Sequence, residues 1–212
     1  MAFRPAYFIQ NEKIMCRNFE FEWFGGFALS QKQKCITAFH HSIKTANNSA
    51  IPLEISTKGS DKLGVKLSAF NLKLNGYPFE NVFQSSKVFE HGGAYSDLLT
   101  VSPKEAKRDE RLKNSGKLIG FHYDGQDFPL EPKTVFYDYI YLCAVRETLT
   151  QDEIQQIRNY THFTDIEFNP QKSINTQAKA VAILKRMLEL YETIPEMTTE
   201  EFISFHRKYV FA

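Results

Sequence analysis

Cysteine is scarce and unpatterned in this chain. The three, Cys16, Cys35 and Cys143, are odd in number and form no Cys-x-x-Cys pair. That excludes a disulfide scaffold and a zinc finger, and a reducing cytosol is the expected setting. The one adjacent histidine pair, His40-His41, cannot share a helix face, so no metal is expected. Charge of one sign is also missing: 26 Lys and Arg stand against 25 Asp and Glu. This excludes a strongly basic nucleic-acid coat and an acidic solvating tail. No apolar run approaches about 20 residues, so no membrane span is expected. Met1 to Gln10 lacks the basic-then-apolar plan of a signal peptide. Fixed-period repeats and low-complexity stretches are absent too. Together these point to a cytoplasmic globular protein.

What the chain does have is rings. Aromatic residues make up 14% of its 212 positions, with 19 Phe and 10 Tyr. A disordered chain would not carry so many. Most must be core, and a surplus could stack on bases or nucleotides.

Local signals define the elements. Residues 5–10 and 13–22 read as a β-hairpin around Asn11-Glu12. Capping boxes, in which the cap hydroxyl and the third-residue side chain serve each other's backbone donors, mark helix starts. They occur at Ser30/Gln33, Ser102/Glu105 (with Pro103 at the first helical position), Thr150/Glu153 and Thr198/Glu201. Leu118–Tyr123 reads as a strand turning at Asp124-Gly125. Helical periodicity covers Thr134–Glu147 and Ile174–Leu190. The expected fold is α+β, mainly helical, a single compact domain over 1–212 with a small antiparallel β portion.

The segment Phe79 to His91 concentrates the chemistry. Read as one helix at about 100° per residue, it sets Phe79, Val82, Phe83, Ser86 and Phe89 on a core-facing side. Glu80, Gln84, Lys87 and His91 then share an arc roughly 60° wide. Gly92-Gly93 would end that helix and admit a ligand closely. A solvated charged face is the alternative, but the aromatic stripe opposite pins the helix to a core. A desolvated lysine loses its proton more easily, and the neutral amine can attack a carbonyl to form a Schiff base. A neighbouring carboxylate can move the protons.

The run LSAFN (67–71), Gly76-Tyr77-Pro78-Phe79-Glu80, FQSSK (83–87) and Ser102-Pro103-Lys104-Glu105-Ala106-Lys107-Arg108 resembles the NADAR family. QKQK (31–34), LEIS (53–56), FEHGG (89–93) and TDIEFNP (164–170) bring it closest to the NADAR antitoxins encoded beside DarT-type toxins, which ADP-ribosylate guanine in DNA. Ala94, Phe79 and Thr176 depart from residues common in the family, without removing a chemical group. The resemblance implies a NADAR (YbiA-like) domain, with residues 1–60 as a hairpin and helix extension and 61–212 as catalytic core. It implies a glycohydrolase that removes ADP-ribose from guanine in ADP-ribosylated DNA and needs no cofactor. ADP-ribose would be the product and a DarT-type toxin the genetic partner. Lys87 would be the catalytic amine and Glu80 its acid/base partner. Ser68, Phe70 and Asn71 would line the ADP-ribose pocket, with Gln84, His91, Gly92, Gly93 and Tyr95 nearby. Two other readings remain: an N-glycosidase on a small nucleotide or sugar phosphate, and a non-catalytic ADP-ribose-binding antitoxin.

Other groups complete the candidate site. On one helix after Pro103, Lys104, Lys107, Arg108 and Arg111 would form a basic stripe within roughly 100°, suited to diphosphate or DNA phosphates. If Asp165–Pro170 is extended, Asp165, Glu167 and Asn169 share a face toward the ribose. Asp138, inside an apolar run, must find a partner, a tyrosine hydroxyl or a cap. Trp23 and Tyr95 are candidates for base stacking.

Overall fold

The computed structural model describes residues 1–211. The chain opens with the expected hairpin, β1 (Ala2–Gln10) and β2 (Lys13–Phe21), in register from Ala2 opposite Phe21 to Gln10 opposite Lys13. Asn11 and Glu12 take φ of 49° and 64°. Two consecutive left-handed residues give a tight turn whose twist matches that of the strands. Next comes α1 (Leu29–Ala46), which buries Cys35, Ile36, Phe39 and Ile43 at helical spacing against Ala6, Phe19 and Phe21. Its cap is Ala28, not Ser30. The Ala28 carbonyl already accepts Gln31 N and Lys32 N, which places Ser30 inside the helix.

The remaining elements run in order: β3 (Pro52–Glu54), α2 (Lys62–Lys66), β4 (Lys73–Leu74), β5 (Tyr77–Pro78), α3 (Phe79–Ser85), β6 (Lys87–Phe89), β7 (Gly92–Gly93), α4 (Pro103–Arg108), α5 (Arg111–Asn114), β8 (Leu118–Tyr123), β9 (Gln126–Phe128), α6 (Val135–Thr148), α7 (Gln151–Gln156), β10 (His162–Thr164), α8 (Gln177–Tyr191) and α9 (Thr199–Tyr209). Capping boxes open α4, α7 and α9 as expected. The β8–β9 turn falls at Asp124 and Gly125, both at positive φ. Helix α8 begins three residues later than its periodicity suggests, which leaves Ile174 outside it and exposed.

One sheet has the order β2-β1-β10-β3, antiparallel except for the parallel β10–β3 pair. A second, antiparallel, has the order β7-β6-β8-β9. The fold is α+β and mainly helical. Its principal core gathers around α6 and α8, and α8 is buried from Gln177 to Leu184. A smaller cluster lies between the hairpin and α1. Gly64 permits α2 to sit on β3: a Cβ there would lie 2.0 Å from the Glu54 carbonyl oxygen.

Candidate active site

The helix expected over Phe79–His91 stops at Ser85. Tertiary hydrogen bonds displace the helical ones there. Tyr95 N donates to Ser85 O at 2.8 Å and His122 N to Ser86 O at 2.7 Å. The Ser85 and Ser86 hydroxyls fold back onto Val82 O. Lys87 therefore opens β6, opposite Phe121 of β8.

The line of acid, amide and amine survives this change. Gln84 Nε2 donates to Glu80 Oε1 at 2.7 Å, and Lys87 Nζ donates to Gln84 Oε1 at 2.7 Å. Lys107, from α4, brings its Nζ to 3.8 Å from Glu80 Oε1. Asn81, buried in α3, donates to the carbonyls of Leu98 and Val101 at 2.7 Å each and so fixes the chain entering α4. Lys87 Nζ sits 5.0 Å from the centre of the Phe83 ring. Lys87 also helps wall a cleft of about 370 Å³ with Phe83, Phe121, Phe136, Tyr137, Ile174 and Asn175. Burial pushes its pKa below the ordinary lysine value; Glu80 opposes that shift and Lys107 adds to it. A hollow of about 400 Å³ lies between α6 and α9, but its cation, Arg146, is paired with Glu196 at 3.6 Å.

His91 does not join this line. It is exposed at the β6–β7 turn, and its amide bonds Ser115 O. Gly92 and Gly93 form β7 rather than a helix end. Gly93, at φ 101°, admits the chain itself: a Cβ would lie 2.2 Å from Lys87 O.

Asp165, Glu167 and Asn169 do not share a strand face, because β10 ends at Thr164 and a turn follows. Asp165 is buried, and its Oδ1 accepts Glu167 N at 3.0 Å and Phe168 N at 3.2 Å. Burial, and then the nearby Glu54 carboxylate, push its pKa well above the usual range, against hydrogen bonds that include the Gln177 side chain. Glu167 is exposed and pairs with Lys32 at 3.0 Å. Asn169 Oδ1 serves its own turn, accepting Gln171 N.

Gln177 joins two of the expected elements. Its Oε1 accepts Ala69 N at 2.7 Å, and its side chain is among the groups that oppose the upward shift at Asp165. Within the 67–71 loop, Ser68 is fully buried with an unpartnered hydroxyl. Asn71 Nδ2 donates to Val65 O at 2.7 Å, and Phe70 is 80% exposed. Tyr137 stands between the two halves of the site. Its hydroxyl pKa is raised by burial, then by the charges of Asp165, Asp138 and Glu80. Sequence reasoning missed Gln177, Tyr137 and Glu54. Tyr137 sits in an apolar run that reads as core, and a glutamine opening a helix carries no distinctive signal.

The basic stripe is also broken. Helix α4 ends at Arg108, and the Asp109 carboxylate takes Arg111 N at 2.9 Å and Arg111 Nε at 2.8 Å. Asp97 holds the same guanidinium at 2.6 Å. Arg111 is thus neutralised, Arg108 is solvent-exposed, and only Lys107 reaches the site. Tyr95 has Arg111 4.4 Å above its ring, stacks on Phe89 with ring centres 6.4 Å apart and bonds Ser115 Oγ at 2.5 Å, so its ring is engaged within the protein. Asp138 is bound by Lys179 at 3.1 Å, His206 at 3.0 Å and Thr134 at 2.8 Å, not by a tyrosine.

Among the described residues, no helix is long and apolar enough to cross a membrane. No curated protein matches the chain. A family model described as DarT1-associated NADAR antitoxin matches residues 2–211.

Proposed function

The chain belongs to the DarT1-associated NADAR antitoxin family, and from that premise we propose that it hydrolyses the N-glycosidic bond between ADP-ribose and guanine in DNA. Membership implies an antitoxin role with a DarT-type toxin as genetic partner. The observation that supports hydrolysis is the hydrogen-bonded line Glu80–Gln84–Lys87, which ends in a partly desolvated amine on a cleft wall. Gln84 holds Lys87 Nζ in place and leaves its lone pair available once the proton is lost. The amine attacks the anomeric carbon of the ribose. The bond to the guanine nitrogen breaks, and that nitrogen takes a proton supplied through Glu80. Opening of the sugar ring yields an imine on Lys87. Water then adds, and free ADP-ribose and the amine are restored. Gln177 anchors the Ser68–Asn71 loop through Ala69 N and lies near Asp165, which supports a pocket wall for the ADP-ribose.

Borohydride trapping tests the covalent step. Incubation with ADP-ribosylated DNA and borohydride should give a protein–sugar adduct that maps to Lys87. Lys87→Ala should lose the adduct and lower ADP-ribose release by at least about 10³-fold. An active enzyme that yields no adduct overturns the imine. Substrate binding without any release by the wild-type protein favours a non-catalytic antitoxin.

A further inference from the structure

The N-terminal hairpin and α1 carry features the hydrolytic reading leaves unused. Phe27 is fully exposed, on a loop that begins with Gly25-Gly26, and Leu29 beside it is 52% exposed. Gly26 takes φ 117°, a backbone conformation that favours glycine. A single exposed ring is ordinary, but the rings just before it in the chain, Trp23 and Phe24, lie beside cations. Trp23, four residues earlier, lies between Arg4 at 5.3 Å and Lys32 at 5.1 Å from its ring centre. Lys34 lies 6.0 Å from the Phe24 ring and is exposed. Arg4 Nε is buried without a partner.

The charge is local. Residues 1–47 hold six Lys or Arg against three Glu, while the whole chain holds 26 against 25. Strand alternation puts Glu20 on the face of β2 opposite Phe19, Phe21 and α1. The patch also borders the candidate site. Lys32 pairs with Glu167, in the turn that Asp165 opens.

We propose that this patch binds single-stranded DNA flanking the modified guanine, with Phe27 stacking on an unpaired base and Arg4 and Lys34 meeting phosphates. The proposal rests on the reading of ADP-ribosylated DNA as substrate. An exposed ring can stack on any base, so the contact tolerates sequence, and cations along the backbone supply affinity that salt weakens. A nearly neutral protein can thus hold a nucleic acid at one place.

The probe is a short fluorescein-labelled, unmodified single-stranded oligonucleotide, read by fluorescence anisotropy. Phe27→Ala should weaken its binding about tenfold. Lys34→Ala should lower the slope of log affinity against log salt by about 0.7. Circular dichroism should show both variants folded, since both side chains are exposed. Phe27→Ala should also raise KM for ADP-ribosylated oligonucleotide while leaving turnover of ADP-ribosylated guanosine unchanged. Equal oligonucleotide binding by wild type and Phe27→Ala overturns the proposal. A loss on the nucleoside also overturns it, because the loop would then belong to the catalytic pocket. If the wild type releases ADP-ribose from neither substrate yet Phe27→Ala still weakens binding, the hydrolase reading falls and the docking surface stands.

Discussion

Two buried or half-buried lysines meet opposite fates in this molecule. Lys179, in α8, is buried in an ion pair with Asp138, and that carboxylate is shared with His206 of α9 and Thr134. Lys87 is desolvated at a cleft wall, and its nearest partner is the neutral amide of Gln84. Glu80 is held one side chain further away. A lysine bonded directly to a buried carboxylate joins elements together. A lysine held by an amide is positioned with its proton free to leave. The same residue type thus serves structure in one place and has nucleophile chemistry open to it in the other, and the difference lies in the first partner of the amine.

The largest effect should come from breaking the structural pair. Asp138→Asn leaves the Lys179 ammonium buried without its counter-charge, and should cost about 3–5 kcal/mol of unfolding free energy, read by urea titration. The folded fraction should still trap borohydride at Lys87. Loss of trapping in folded protein would show that the two lysines are coupled.

Glu80→Gln keeps the line of hydrogen bonds but removes the proton carrier. We expect kcat for ADP-ribose release to fall about 10²-fold with stability nearly unchanged. An unchanged kcat would assign proton transfer elsewhere, with Asp165 the first group to examine.

Lys87→Met should raise stability at neutral pH by about 1 kcal/mol, because a desolvated charge is replaced by an apolar chain. The sign follows from the lowered pKa. The unfolded chain keeps the Lys87 proton to higher pH than the native one, so wild-type stability rises with pH between the two pKa values. The gain from Lys87→Met should therefore shrink as pH rises through that window. The matching change at Lys179 should destabilise at neutral pH in the same urea titrations, because it leaves the buried Asp138 carboxylate without its lysine partner.

The smallest effect concerns Lys107. Its charge helps to lower the Lys87 pKa, so Lys107→Met should shift the ascending limb of the pH–rate profile, where Lys87 loses its proton, to higher pH. Release of ADP-ribose from modified DNA, measured across pH, checks this. An unmoved limb, or a shift to lower pH, would show that Lys107 does not set the Lys87 pKa.

Much of the fold could be read locally because its signals are local. The Asn11-Glu12 turn and the capping boxes at Ser102, Thr150 and Thr198 each satisfy backbone donors within a few residues, so neighbours in sequence suffice. The failures share a cause of the other kind. Helix α3 ends because amides from Tyr95 and His122, distant in the chain, take the Ser85 and Ser86 carbonyls. The stripe after Pro103 breaks because Asp109 finds a better use for its carboxylate in Arg111, which Asp97 also grips. The turn at Asp165 forms because a buried carboxylate collects its nearest amides rather than continuing a strand.

By itself, then, the sequence determined the residue types and spacing from which an amine, an amide and an acid can meet: Glu80, Gln84 and Lys87 lie within one and two helical turns, near enough to join whether or not the helix continues. Only the tertiary structure decided that Lys87 opens a strand on a cleft wall, that Lys107 joins it while Arg111 is held elsewhere, and that Gln177, from a distant helix, holds Ala69 of the Ser68–Asn71 loop. Those outcomes depend on hydrogen bonds and burial between segments far apart in the chain, which a local pattern does not encode.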